Sequence, residues 1–182
     1  MIVIKSAQEL ALMRQAGRIV AETLAILVEQ VKPGITTVEI NRLADALIRQ
    51  RGAVPSFKGY RGFPASICAS VNEEVVHGIP GKRVLHEGDI VGLDVGAIYR
   101  GMQGDAAITL PIGHVNGRLQ KLLQTAQIAL AAGIQAARGG NRLGDISWAI
   151  QKVAEDAGFT VVREYGGHGI GRNMHEDPHI PN

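Results

Sequence analysis

The spacing of apolar residues along the chain changes twice, and this alternation limits the folds it can adopt. Apolar residues recur at helical spacing through roughly the first 50 residues. Short runs typical of strands, separated by turns that contain glycine, proline and asparagine, occupy the stretch from Ser66 to Ile112. Helical spacing returns after Gly113. This order predicts an α+β fold.

Two capping boxes mark the starts of the first two helices. Residues 6–9 (SAQE) begin a helix that should reach about residue 31, where Pro-Gly follows. Residues 36–39 (TTVE) begin a second helix, which should continue through residue 51 and stop at a glycine. The chain therefore starts with two helices.

The remaining elements follow from the same patterns. The runs SICASV, DIVGLDVGAIY and DAAITLPI predict a mostly antiparallel sheet. A helix is then expected over GRLQKLLQTAQIALAAGIQAAR, and another from about Asp145 to Ala157 with Trp148 facing the core. The run FTVVR is predicted to be a strand.

The predicted elements begin to repeat, because two helices and strands are followed by two helices and a first strand. We expect one domain over residues 1–182 with two related halves, the second of which lacks part of its strands. An incomplete sheet would leave a strand edge and apolar helix faces uncovered.

Charge and cysteine content exclude several classes of function. Nineteen Lys and Arg residues face seventeen Asp and Glu residues without any block of like charge, which argues against a nucleic-acid or anionic-membrane surface. Cys68 alone cannot form an internal disulfide and fits a reducing compartment. The start MIVIKSAQEL has no signal-peptide pattern, and no apolar run is long enough to span a bilayer. We expect a cytoplasmic protein that binds its partner in a pocket.

Asp94 and Asp105 are candidate metal ligands. Asp94 lies within an apolar strand, where an ionised group is costly unless it is paired or bound to a cation. Asp105 begins the next strand, across a turn predicted at residues 99–104. The two carboxylates could converge on one metal. Alternatively, Asp94 accepts a backbone hydrogen bond and Asp105 caps a turn.

Three histidines have surroundings that suit a site. His168, in YGGHGIGR, is flanked by glycines that let the backbone pass close to another group, and it could complete the metal set or simply lie in a turn. His77 is predicted to end an apolar strand, and His175 follows the glycine loop. Either could donate to a substrate carbonyl or its tetrahedral intermediate, or be an ordinary surface histidine.

Nucleophilic catalysis has little support. No serine lies in a G-x-S-x-G motif, and no neighbouring base can be identified for Cys68, which is more simply a small apolar side chain in a core or pocket. His86, His114 and His179 have turn-like or terminal surroundings and receive no role.

Taken together, three stretches resemble the methionine aminopeptidase family of metallopeptidases. They are GYRGFPASICASVNEEVVHGIP, GDIVGLDVGAIYRGMQGDAAITLPIG and REYGGHGIGRNMHEDPHIPN. The resemblance implies the pita-bread fold, in its bacterial type I form, and removal of the initiator methionine from nascent proteins.

The resemblance also implies a role for each candidate residue. Asp94, Asp105 and His168 would bind two divalent metal ions, for which Co, Mn, Fe and Zn are all suitable. His77 and His175 would contact the substrate and stabilise the transition state. A pocket for the methionine side chain would be lined by Tyr60, Phe63 and Cys68. The implied partner is the N-terminal methionine of a nascent polypeptide at the ribosome, and the implied state is a monomer.

Two glutamate ligands that the resemblance implies have no counterpart among the 182 residues. We therefore expect a C-terminally truncated form with little hydrolytic activity. The alternative is a catalytically inactive remnant or interaction module. A proline-directed relative of the same fold is disfavoured, because such enzymes carry a large additional N-terminal domain.

Overall fold

Two units make up the chain in a computed structural model that describes all 182 residues. The N-terminal unit comprises Ile4–Val115 and Ile170–Met174. The C-terminal unit comprises Met1–Val3, Asn116–Gly169 and His175–Asn182. The single domain expected over residues 1–182 stays a prediction.

The first two helices begin where their capping boxes predict. Helix α1 spans Ala7–Gln30 and helix α2 spans Thr37–Gln50. In the first box the Ser6 amide donates to the Glu9 carboxylate at 2.9 Å, and the Glu9 amide donates back to the Ser6 hydroxyl at 3.3 Å. These reciprocal bonds satisfy backbone donors that a helix start leaves unpaired.

A four-stranded antiparallel sheet follows these helices; the sequence predicts three of its strands but not the short strand Val54–Pro55. Its strands are β1 (Val54–Pro55), β2 (Ile67–Val71), β3 (Ile90–Tyr99) and β4 (Met102–Pro111). Strand β3 is central: β4 pairs with its whole length along one edge, and β1 and β2 share the other edge. The connection between β3 and β4 is shorter than expected, since only Arg100 and Gly101 form the turn. Asp105 is therefore the fourth residue of β4 and not its first.

One face of the sheet forms the core with α1 and α2. Alternate side chains of β3 are buried on this face, as the two-residue period of a strand requires. The core joins residues from both helices and the sheet, among them Ile19, Leu27, Ile40, Ile48, Val91, Leu93 and Val95. The intervening positions of β3, which include Asp94, lie on the opposite face.

Helix α1 approaches the sheet closely at Gly104 of β4. A Cβ atom at this position would lie 2.7 Å from backbone atoms of Ala16 and Gly17 in α1. Only glycine can therefore occupy this position without moving the helix away from the strand.

The C-terminal unit contains two helices and a two-stranded hairpin. Helices α3 (Gly117–Ala136) and α4 (Leu143–Asp156) begin and end close to the predicted residues. The hairpin consists of β5 (Gly166–Gly169) and β6 (Glu176–Pro181). None of the four helices is both long and apolar enough to cross a membrane.

Two predictions for this unit are wrong. Trp148 does not face a core, because 62% of its surface is exposed and α4 has no buried residue. The run FTVVR (residues 159–163) is not a strand. Its β-type composition does not suffice, because a strand needs a partner for its backbone groups and no other strand of the chain pairs with it.

We predict that Gly104→Ala destabilises the N-terminal unit, because the added methyl group must displace α1. A loss of about 1–3 kcal/mol in the free energy of unfolding, measured in urea, is expected for such overpacking. Gly17→Ala is the matched control, since nothing lies within 4 Å of a Cβ there and its position is helical. This control should leave stability unchanged or raise it by about 0.5–1 kcal/mol. Equal stability of the two variants would contradict the close approach.

Candidate active site

Asp94 and Asp105 lie on the same face of the sheet, on neighbouring strands. In the register of β3 and β4, Asp94 is opposite Ala107 and Gly96 is opposite Asp105. Directly opposite residues share a face, and so do residues two positions apart on one strand. The two carboxylates are therefore diagonal neighbours, and they share a hydrogen bond. This proximity is what the sequence predicts for a metal-binding pair.

The surroundings of Asp94 favour its neutral form in the absence of a cation. Burial, the negative charge of Asp105 and the hydrogen bond with Asp105 together raise the pKa of Asp94 to about 8. Ionisation of both carboxylates has a high free-energy cost unless a positive charge lies between them. Carboxylate pairs of this kind suit divalent cations, so the donor set fits a metal ion.

Cys68 lies directly opposite Asp94 on β2 and is 4% exposed. Burial and, to a smaller extent, the charges of Asp94 and Asp105 raise the pKa of its thiol to about 12. The side chain is therefore a neutral thiol at physiological pH, whereas nucleophiles and metal ligands are thiolates. The buried position of Cys68 agrees with the expectation of a small apolar side chain in a core or pocket.

An aromatic residue that the sequence analysis missed also lies on the carboxylate face. A Cβ at Gly96, the residue opposite Asp105, would lie 2.7 Å from the ring of Phe57. The Phe57 ring therefore packs directly over Gly96. A glycine in an otherwise apolar strand was the available signal, since such a glycine often marks a close approach of another group.

Tyr60 and Phe63 occupy the loop between Phe57 and β2. Tyr60 begins a 3₁₀ turn, and its amide donates to the Phe57 carbonyl at 2.9 Å. The Gly59 amide closes the loop by donating to the Phe63 carbonyl at 2.8 Å. Both aromatic side chains are half-buried. Their role in a substrate pocket stays a prediction.

His77 does not end a strand, contrary to the prediction. Strand β2 stops at Val71, and His77 is an exposed residue of the loop that follows. Its φ of 61° is unusual for a residue with a side chain. Gly78 fixes the loop against β2: the Ala69 amide donates to its carbonyl at 2.9 Å. Strained backbone held in this way is typical of functional positions.

His168 and His175 are close neighbours in the C-terminal unit. Their ring centroids are 4.2 Å apart, and the rings are tilted by 36°. The His168 Nδ1 lies 2.9 Å from the carbonyl oxygen of Gly169. A carbonyl oxygen only accepts hydrogen bonds, so Nδ1 is the donor in this contact, and a metal could be bound only through Nε2.

Two of the glycines around His168 are required by the hairpin. A Cβ at Gly169 would lie 2.3 Å from the Asp177 carbonyl oxygen, and one at Gly166 would lie 2.7 Å from the His179 ring. Strand β6 therefore approaches β5 too closely for larger residues. The glycine pattern predicts that the backbone near His168 passes close to another group. That group is the neighbouring strand β6.

The structure thus gathers the candidate residues as two pairs. One pair is Asp94 with Asp105 in the N-terminal unit, and the other is His168 with His175 in the C-terminal unit. Nowhere do three or more His, Cys, Asp or Glu side chains form a group that could hold a metal ion. The ligand set of Asp94, Asp105 and His168 stays a prediction.

Comparison with known proteins decides the family. The model of metallopeptidase family M24 matches residues 11–182. The chain belongs to metallopeptidase family M24. A methionine aminopeptidase of Clostridium acetobutylicum is 55% identical over the whole chain, and methionine aminopeptidase 1 of Bacillus subtilis is 52% identical. The chain spans 73% of the length of each of these M24 relatives.

Solved structures of M24 proteins share the fold. The methionine aminopeptidase of Thermotoga maritima superposes with a TM-score of 0.98 at 44% identity, covering the whole chain and 74% of that protein. The prolidase of Pyrococcus furiosus reaches a TM-score of 0.88 at 21% identity, covering 98% of the chain and 52% of the prolidase, and so shares the fold alone. The α+β pita-bread fold expected from the sequence is confirmed.

We predict that the metal-free protein loses stability as the pH rises from 5 to 9. The pKa of Asp94 is about 8 in the folded chain against an ordinary value of 3.8. Its contribution to stability is therefore present below about pH 4 and is lost as the pH rises through 8. Urea unfolding in the presence of a chelator should show this decline in the parent chain and not in Asp94→Asn.

Asp89→Asn is the matched control for this experiment. The pKa of Asp89 is lowered, mainly by its hydrogen bond with Asn72, so Asp89 is ionised throughout the range from pH 5 to 9. This variant should keep the decline. A divalent ion added at pH 8 should restore stability to the parent chain but not to Asp94→Asn. Parent and Asp94→Asn profiles that run parallel in chelator, or a parent stability that rises with pH relative to Asp94→Asn, would contradict the raised pKa of Asp94.

Proposed function

We propose that this chain is a methionine aminopeptidase that hydrolyses the peptide bond after the N-terminal methionine of proteins. The observation that carries the proposal is the carboxylate pair of Asp94 and Asp105, coupled on one sheet face in an M24 chain. Its high identity with proteins named methionine aminopeptidase supports the same substrate, whereas its identity with prolidases is much lower.

Asp94, Asp105 and His168 are proposed to hold two divalent ions. The carboxylates supply negative charge, and Nε2 of His168 supplies a neutral nitrogen donor. This mixture of oxygen and nitrogen suits Mn, Fe, Co or Zn. Ions bound there would act as Lewis acids, which lower the pKa of water and polarise a carbonyl group.

His77 and His175 are proposed to stabilise the transition state. An imidazole N–H that donates to the carbonyl oxygen of the first peptide bond is strengthened as negative charge develops there. The positive φ at His77 sets the direction in which its side chain leaves the loop, and the contact between the rings of His175 and His168 restricts the motion of those two side chains. Hydrogen-bond donors that are already in position stabilise the transition state more, because they need not reorient during the reaction.

The methionine side chain is proposed to enter a pocket lined by Tyr60, Phe63 and Cys68, with Phe57 beside it. The neutral thiol of Cys68 and the aromatic rings provide an apolar lining. A thioether makes favourable contacts with aromatic rings, and a pocket of fixed size limits which first residue is accepted.

The natural substrate is proposed to be a nascent polypeptide that begins with methionine. The protein is proposed to act as a monomer and to bind this substrate at the ribosome, in the cytoplasm. The small net charge, without a block of basic residues, favours recognition of the polypeptide over recognition of RNA.

The proposal is tested by measuring methionine release from a peptide that begins with methionine, with Mn or Co and with a chelator. We expect slow release, in line with the little activity expected from the sequence, which requires the metal and which Asp105→Asn abolishes. Calorimetry should show that the parent chain binds the metal more tightly than Asp105→Asn does. Thr109→Val, an exposed change on β4, should behave like the parent. Metal binding without methionine release would indicate an inactive interaction module instead.

We further predict that, in an active form of the protein, His77→Ala lowers kcat more than it raises KM, since a donor to developing charge acts mainly in the transition state. Loss of one such donor typically costs about 10²–10³-fold in kcat. His77→Gly should lose as much, because it removes the imidazole while accommodating the positive φ. His86→Ala, at an exposed position without an assigned role, should leave both constants unchanged. An unaltered kcat in both His77 variants would remove this role.

A further inference from the structure

Gln103 of β4 fixes the segment Ile170–Met174, which belongs to the N-terminal unit. Its backbone amide donates to the Gly171 carbonyl at 2.9 Å. Its side-chain Nε2 donates to the next carbonyl, that of Arg172, at 3.1 Å. One residue of β4 therefore holds two consecutive peptide groups of the segment. The orientation of the amide is determined, because a carbonyl oxygen needs the NH₂ group and not Oε1 as its partner.

The position of Gln103 connects this segment to the carboxylate pair. Gln103 precedes Asp105 by two residues on the same strand, so both side chains lie on the same face. The held segment lies between His168 and His175 in the sequence. Gly171 follows His168 by three residues, and Arg172 precedes His175 by three residues. Gln103 thus lies beside one candidate ligand and binds the chain that joins the two histidines.

General stabilisation does not explain the Gln103 amide. Gln103 is 8% exposed, and burying a polar group removes its contacts with water. The net stability gained from one neutral hydrogen bond is small. Methionine, an apolar side chain of similar length, would fill the same volume without the cost of burying an amide. The particular contribution of the amide is therefore its hold on the Arg172 carbonyl.

Other contacts also hold the segment. Within it, the Gly171 amide donates to the Asn173 carbonyl at 3.1 Å. Met174 is 2% exposed and anchors the end of the segment by burial. The Arg172 guanidinium donates to the Glu9 carboxylate at 3.1 Å, but Arg172 is largely exposed, and ion pairs of this type contribute little. The carbonyls of Gly171 and Arg172 are bound to the sheet through Gln103.

We propose that Gln103 is a positioning residue for the site. It fixes the backbone of Gly171 and Arg172 on the strand that carries Asp105, and this restricts the short chain segments that lead to His168 and to His175. The effect of Gln103 on catalysis rests on the function proposed above. The contact of Gln103 with the segment is independent of that function and can be measured without substrate.

The test compares the full chain with Gln103→Met and Gln103→Glu by hydrogen exchange, thermal unfolding and hydrolysis of a peptide that begins with methionine. Both substitutions remove the donor to Arg172, and the glutamate keeps the shape of the side chain. We expect faster exchange in residues 170–175 in both variants and a melting temperature close to the parent value for Gln103→Met. We also expect kcat to fall about 10–100-fold, as for groups that orient metal ligands, with KM little changed.

Arg172→Gln and Thr109→Val are the matched controls. The first removes the ion pair with Glu9 and keeps the Arg172 carbonyl, and the second changes an exposed residue of the same strand. Both should match the parent in exchange and in kcat. Unchanged exchange in residues 170–175 of Gln103→Met would overturn the proposal, and so would faster exchange with an unchanged kcat. A parent chain without hydrolytic activity would refute the proposed function, while the exchange data would still decide whether Gln103 holds the segment.

Discussion

The antiparallel register of β3 and β4 is the constraint on which the candidate site depends. Ten residue pairs and a two-residue turn fix this register. A shift by one residue would turn Asp105 towards the core and Gly104 away from it. Helix α1 prevents that shift, because its backbone at Ala16 and Gly17 leaves room only for a glycine at that point of β4. The packing of a helix on one face of the sheet therefore determines where a carboxylate lies on the other.

The chemistry of the opposite face follows from this arrangement. Two carboxylates held side by side repel one another and favour protonation of Asp94. The same pair attracts a divalent cation, so an arrangement that is unfavourable in the folded metal-free chain is suited to metal binding. Phe57 and the neutral thiol of Cys68 cover the neighbouring positions with apolar groups, which weakens screening by water and strengthens electrostatic interactions. Membership of a metallopeptidase family agrees with this balance.

Glycines hold the candidate histidines in place by allowing close backbone contacts. Gly78 lets the loop after His77 lie against β2, and Gly169 lets the strand of His168 lie against β6. In each case a larger residue would separate the two backbone segments and release the histidine from its position. The backbone position of each histidine thus depends on residues that have no functional group of their own.

The sequence by itself determined the local elements and the identity of the candidate groups. Capping boxes marked the starts of α1 and α2, and short β-type runs bounded by turn residues predicted β2, β3 and β4. An aspartate in an apolar strand indicated a charge that needs compensation. Only the tertiary structure decided which groups meet. It exposed Trp148, left FTVVR without a partner strand, placed Phe57 over Gly96 and tied Gln103 to the chain between His168 and His175. These outcomes depend on contacts between residues far apart in sequence, whereas helical or strand periodicity reports only which side of one element is apolar.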